Sequence, residues 1–194
     1  MEVFILMGIK HCGKSTLGKI LSEKLNCAFY DTDDVIKLLT NKTPREIFSS
    51  EGESAFKLAE KNACSFLEEK LLKEKSSAVI ATGGGICNNP EALKILHNLG
   101  KFVFLNISEK TAFERILWEV TVSDDNSAGQ GDVKISGLPA YIAKKNPRTL
   151  EDAGTIFHEF YCERIKLYKE AADITVDMND RTKEENVSRL LEII

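Results

Sequence analysis

The stretch Gly8-Ile9-Lys10-His11-Cys12-Gly13-Lys14-Ser15-Thr16 has the residue types and spacing to bind phosphate. It fits G-x-x-x-x-G-K-[ST], whose glycines let successive backbone N–H groups turn inward around an anion while the next helix directs its positive end at it. Lys14 would reach the β- and γ-phosphates of a nucleoside triphosphate, and Ser15 would offer its hydroxyl to a magnesium ion. More chemistry is available in the cluster Asp31-Thr32-Asp33-Asp34. One carboxylate suffices to cap a helix, and Asp34 is expected to cap one beginning at Val35. Asp31 is then placed to hold the metal through water, and Asp33 to accept a proton or a hydrogen bond from a substrate hydroxyl. In Thr82-Gly83-Gly84-Gly85, three consecutive glycines are better explained by close approach of backbone to a ligand than by spacing alone. Lys57 is a candidate anion contact. Cys12, inside the loop, is expected to be accessible, with nothing nearby to make it a nucleophile.

These residues need elements to position them, and the apolar patterning supplies them. Val3-Phe4-Ile5-Leu6-Met7 reads as a buried strand leading into the loop, and Leu17, Ile20, Leu21 and Leu25 recur at helical spacing after it. Ala28 to Tyr30 is a second short strand, delivering the acidic cluster at its carboxyl end, where open parallel sheets place ligands. Thr43-Pro44 starts a helix that breaks at Gly52. A longer helix runs from Glu53 to about Lys75, with Phe56, Ala59, Ala63, Phe66, Leu67 and Leu71 inward and its glutamates and lysines forming a solvated face. Ala78 to Ala81 is a central strand ending at the glycines, and Lys101 to Ile107 another. Pro90 to His97, Ser108 to Val120, Thr149 to Ala172 and Thr182 to Ile194 read as helices, and Ile174 to Met178 as the last strand. The run from Ser123 to Asp132 is polar and without periodicity, which marks a mobile loop and suggests a lid over a nucleotide. Five strands alternating with helices predict an α/β fold, a doubly wound five-stranded parallel sheet flanked by helices, with a lid insertion.

Composition narrows the class of partner. At 194 residues, 43% hydrophobic and 29% charged, the chain suits one globular domain, and a net charge of -4 gives no footprint for nucleic acid. No apolar run approaches the roughly 20 residues of a membrane span, and Met1-Glu2 leads straight into a strand without a basic leader. A cytoplasmic protein with small-molecule partners, monomeric or weakly dimeric, is expected. Five scattered cysteines without a C-x-x-C pair indicate neither a disulfide framework nor a zinc site, and His97 and His158 are expected to be surface or packing residues.

In this order the motifs resemble the shikimate kinase family. The resemblance rests on the phosphate loop, Phe29-Tyr30-Asp31-Thr32-Asp33, Glu46-Ile47-Phe48, Gly52-Glu53 with Phe56, Ala81-Thr82-Gly83-Gly84-Gly85, and the run from Arg164 through Leu167-Tyr168 to Ala172-Asp173. It implies a P-loop kinase fold over residues 1–194, with substrate-binding helices at about 34–75 and a lid at about 121–150. It also implies phosphorylation of shikimate by ATP with Mg2+. Gly8, Lys10, His11, Cys12, Gly13, Lys14, Ser15 and Thr16 would hold the ATP phosphates, Arg115 would join the nucleotide site, and Ser15 with Asp31 would serve the metal. Lys14 and Asp33 would be catalytic. Asp33, Lys57 and Gly83 to Gly85 would bind the acceptor, and Arg164 would pair with its carboxylate. Three departures stand out. Lys57 replaces the family's arginine, exchanging a bidentate clamp for a point charge. His11 stands where the family usually has glycine. The lid's Arg-Pro-Leu has only Gly137-Leu138-Pro139 as a counterpart, so either Lys144, Lys145 or Arg148 takes over the arginine's role or the activity differs. Other readings are a kinase for another small hydroxy acid such as gluconate, and a non-catalytic nucleotide-binding regulatory module.

Overall fold

The computed structural model describes residues 1–125, 132–178 and 182–194. The chain begins with β1 (Val3–Met7), the phosphate loop and α1 (Lys14–Lys24), then β2 (Ala28–Asp31), α2 (Thr32–Thr40), α3 (Pro44–Glu51) and α4 (Glu53–Glu74). It continues through β3 (Ala78–Ala81), a 3-10 turn at Ile86–Asn88, α5 (Pro90–Leu99), β4 (Lys101–Asn106) and α6 (Glu109–Leu117). After these come β5 (Thr121–Asp125), β6 (Asp132–Ser136), α7 (Ala140–Ala143), α8 (Leu150–Ala171), β7 (Ile174–Asp177) and α9 (Lys183–Ile193). Contacts divide the chain into two compact units: Met1–Asn106 with Leu167–Ile194, and Ile107–Lys166.

The first unit holds the five-stranded sheet, in the order β2-β3-β1-β4-β7 and parallel at every pairing. Strands covered by helices on both faces are apolar throughout, and β1 and β3 are buried at every position while the edge strands β2 and β7 are not. Because β1 lies between β3 and β4, the crevice at its carboxyl end is where a doubly wound sheet binds its ligand. The phosphate loop leaves β1 at that point. Gly8 cannot carry a side chain there, since a Cβ would come within 2.8 Å of both the Leu105 carbonyl oxygen and Cys12 Sγ.

Two local expectations are corrected. Helix α2 begins at Thr32 and is capped by Asp31, whose carboxylate accepts from the Asp33 N–H; Asp34 falls in the first turn and Val35 is not the start. β2 stays paired through Asp31, opposite Ala81, and the chain turns into helix at the very next residue, three residues ahead of the expected start, which leaves the Asp31 carboxylate in the capping position. On α4, the glutamates and lysines do not all face solvent. Glu60 is 1% exposed and its Oε2 accepts from Asn89 Nδ2 at 2.9 Å. Thr43 starts α3 with a reciprocal capping box to Glu46, and Thr182 does the same for α9 with Glu185.

In the second unit, the polar run expected as a loop is flanked by strands. β5 and β6 pair antiparallel from Thr121 with Ser136 to Asp125 with Asp132, and residues 126–131 of the expected loop lie outside the described residues. Helix α6 stops at Leu117, short of Val120. Just past β6, Gly137 has φ +87, and a Cβ there would stand 1.9 Å from the Glu119 carbonyl oxygen. Only glycine fits, so the lid arginine sought at this position is sterically excluded. Among the described residues no helix is long and apolar enough to cross a membrane.

Candidate active site

In the first unit the phosphate loop is held by bonds to its own backbone. Gly13, with φ +102, precedes α1, and Lys14 is buried with Nζ donating to the carbonyls of Gly8 at 2.8 Å and Ile9 at 3.0 Å. Nζ also contacts Cys12 Sγ at 3.6 Å; Cys12 is 1% exposed, which corrects the expectation that it is accessible. His11 has φ +65, a left-handed conformation that glycine adopts most easily and histidine more readily than most side chains. Lys10, Ser15 and Thr16 stay exposed at the loop's surface.

Ser15 Oγ donates to Asp31 Oδ2 at 2.6 Å, while Asp31 Oδ1 accepts from Asp33 N at 3.0 Å. One carboxylate thus ties the phosphate loop to the start of α2. A hydroxyl beside a carboxylate is a hard-oxygen donor pair of the kind magnesium takes, so the residues present fit that ion. Among the described residues no group of three His, Cys, Asp or Glu side chains could hold a metal, so most of its ligands would have to come from water and phosphate.

The glycine triplet lies against both groups. Gly83 N donates to Thr32 Oγ1 at 3.1 Å, and a Cβ on Gly83 would stand 3.2 Å from Asp33 Oδ1 and 3.5 Å from Glu60 Oε1. Two carboxylates therefore flank this glycine. Gly84 faces the phosphate loop, where a Cβ would be 3.4 Å from Lys10 N, and its carbonyl accepts from the fully buried Tyr168 hydroxyl at 2.5 Å. Asn89 caps α5 and donates to both Lys57 O at 2.8 Å and Glu60, which holds Glu60 in place. Asp33 is reached by solvent, yet protein around it removes enough hydration to raise its pKa to about 6. Lost hydration is the largest cause; repulsion from Asp31 adds to it, the Lys14 charge opposes it, and Asp34 adds a little more.

Asp31, Asp33, Lys14, Ser15 and the three glycines are thus gathered in one unit. Lys57 is not drawn into that network by its charge: its Nζ pairs with Glu53 at 2.8 Å on the same helix. Arg115, at the end of α6, and Arg164, on α8, lie in the second unit. There Arg164 is buried with its guanidinium 4.9 Å from the Phe160 ring, and Phe160 stacks on Tyr141 at 3.7 Å. Of the lid candidates, Lys145 is paired with Glu159 at 2.8 Å. Exposed His158 pairs with Glu109 at 2.9 Å, and His97 packs edge-on against Phe102, so neither histidine belongs to the site. Glu60 and Asn89, and the bond that Thr32 makes to Gly83, were not legible in the sequence. Only Asn89 carried a local signal, as an asparagine immediately before the proline that opens a helix.

A parallel sheet with a phosphate loop after its central strand, and a carboxylate of raised pKa beside that loop, defines a P-loop small-molecule kinase. A family model described as shikimate kinase matches residues 10–126. The shikimate kinase of Francisella tularensis subsp. holarctica is 30% identical over 185 residues, spanning 95% of this chain and 90% of that protein. Among solved structures, shikimate kinase from Aquifex aeolicus matches with TM-score 0.69 and 28% identity, over 98% of this chain and 94% of that one. The Bacteroides thetaiotaomicron shikimate kinase matches with TM-score 0.74 and 26% identity, over 98% and 97%. An Acinetobacter baumannii shikimate kinase, solved in complex with shikimate, shares the fold with TM-score 0.72 at 24% identity, over 99% and 92%. This chain belongs to the shikimate kinase family.

Proposed function

We propose that this protein transfers the γ-phosphoryl group of ATP to a hydroxyl of shikimate, releasing ADP and shikimate 3-phosphate. The observation that carries the chemistry is Asp33: solvent-reachable, raised to a pKa of about 6, and set between the phosphate loop and Gly83. A base poised there is ionised at neutral pH yet closer to the proton affinity of its task than an ordinary carboxylate. Asp33 would orient the acceptor hydroxyl and take its proton as the new bond to phosphorus forms. Lys14 would leave its carbonyl partners for the β- and γ-phosphate oxygens, whose charge the inward-facing loop amides also stabilise. Ser15 and Asp31 would hold magnesium, which supplies charge neutralisation on the phosphates. Gly83 to Gly85 would lie against the acceptor, with Glu60 closing the far side of Gly83. Arg164 would pair with the acceptor's carboxylate, Arg115 would serve the nucleotide, and residues 121–150 would act as the lid. Helices across residues 34–75 would form the acceptor side. A cytoplasmic setting and a monomer or weak homodimer complete the reading.

Lys57 motivates one competing acceptor class, another small hydroxy acid such as gluconate, because its ammonium pairs with Glu53 at the position where the family resemblance implies a carboxylate-clamping arginine. ADP release should therefore be measured with shikimate, gluconate and a panel of other hydroxy acids. A kcat/KM for shikimate at least tenfold above the rest supports the proposal. Preference for another acid, or ADP release independent of any acceptor, overturns it.

A further inference from the structure

Three buried donor groups in the second unit have no hydrogen-bond partner among the described residues. Arg164 is 8% exposed, and its Nε and Nη1, together with the Tyr141 hydroxyl, are sealed from solvent without a hydrogen bond among the described residues. Buried polar groups are nearly always bonded, and an unpaired charged one is the most costly kind. These three are not scattered. The Tyr141 ring lies flat on Phe160 at 3.7 Å and 14°, and the Arg164 guanidinium carbon is 4.9 Å from the same ring. Arg164 is also close enough for its charge to act on the Tyr141 hydroxyl, opposing the rise in pKa that burial causes. Burial wins, so the phenol is a neutral donor at any physiological pH. A guanidinium can only donate, and a protonated phenol beside it has the same use for an anion. What fits is an oxyanion with two oxygens.

We infer that Tyr141 determines acceptor specificity, its hydroxyl donating to one carboxylate oxygen of the acceptor while Arg164 engages the other. The inference rests on the functional reading above, which gives Arg164 the carboxylate. It adds a residue that the family motifs quoted above do not include, in a chain whose Lys57 is already paired elsewhere. Reaching the covered atoms takes a rotation of Tyr141 off Phe160 or an extension of Arg164, and Tyr141 is only half-buried. The same donors could bond a phosphate oxygen of ATP, so the test separates the two oxyanions.

Steady-state kinetics of the full chain and its Tyr141→Phe variant would be compared with shikimate and with its methyl ester, which keeps the ring and hydroxyls but loses the charge. Phenylalanine preserves the stack on Phe160, and the unchanged KM for ATP reports that the variant is folded. Tyr141→Phe is expected to raise KM for shikimate by about tenfold or more, since a hydrogen bond to a charged group is lost. Little change is expected in kcat, in KM for ATP, or in either constant for the ester. On an Arg164→Ala background the effect of Tyr141→Phe should shrink to less than about threefold, because both act on one carboxylate. Equal effects on acid and ester, a rise confined to ATP, or no effect would overturn the role of Tyr141. A wild type that phosphorylates no hydroxy acid would instead overturn the functional reading, and this inference with it.

Discussion

Two tyrosines, one in each unit, carry the contrast between the two units of this protein. Tyr168, in the sheet-bearing unit, is fully buried and donates to the Gly84 carbonyl, whereas the Tyr141 hydroxyl in the other unit is covered and bonds to nothing among the described residues. The same difference runs through their surroundings. Lys14, Ser15, Asp31, Thr32, Gly83 and Asn89 bond to one another or to nearby backbone at distances between 2.6 and 3.1 Å. Arg164 keeps two unbonded buried nitrogens. The groups around the phosphate loop are therefore tied into a network of bonds, from which the proposed transfer asks Lys14 to exchange its carbonyl partners for phosphate oxygens. The buried donors of Arg164 and Tyr141 are left unbonded among the described residues, a costly arrangement that the proposed carboxylate would relieve.

Substitutions can break this contrast. Asp33→Asn should have the largest effect, lowering kcat by about 10²- to 10⁴-fold as general-base chemistry is lost. ATP affinity measured by titration should change by less than about threefold; an equal loss would place Asp33 on the nucleotide side. The same variant should be more stable to urea at neutral pH. Asp33's raised folded pKa means that its charge opposes folding, a penalty present above about pH 6 and relieved as pH falls toward the ordinary value of 3.8. In the wild type, kcat/KM for the acceptor should fall about tenfold per pH unit below about 6, where Asp33 takes up a proton, and be level above it. A profile flat down to pH 5 would remove Asp33 as the base.

Stability measurements sharpen the contrast further. Asn89→Ala should cost about 2–3 kcal/mol, since it strips Glu60 and the Lys57 carbonyl of a donor and uncaps α5. Tyr168→Phe should cost about 1–3 kcal/mol by orphaning the Gly84 carbonyl. Tyr141→Phe should be neutral or slightly stabilising, by less than about 1 kcal/mol, because it deletes a buried hydroxyl that has no partner. Denaturation curves in which the two tyrosine variants lose equal stability would dissolve the contrast.

Much of the first unit was legible because its signals are local. An apolar run, a glycine-lysine-serine turn and a helical stripe specify β1, the loop and α1 within the first 24 residues, and β3 ends at glycines that mark close approach. What was illegible depended on distant partners. Whether Asp31 or Asp34 caps α2 is decided by the pairing of β2 with β3, and nothing around Glu60 in the sequence announces that Asn89 will meet it. The second unit was harder still. β5 and β6 pair with each other; β5 carries one apolar residue, and the alternation of Asp132-Val133-Lys134-Ile135-Ser136 is only five residues long and follows a polar glycine-containing run, so it did not stand out as a strand. The missing lid arginine looked like a lost function in the sequence, whereas at Gly137 it is a matter of space, set by a carbonyl 18 positions away at Glu119.

Phosphorus NMR of the enzyme with ATP, magnesium and shikimate tests the central assignment most directly. A phosphate-monoester resonance on shikimate should grow in step with ADP, and should be absent with Asp33→Asn over the same interval. ADP accompanied only by inorganic phosphate, or ATP left intact beside correctly folded protein, would contradict it.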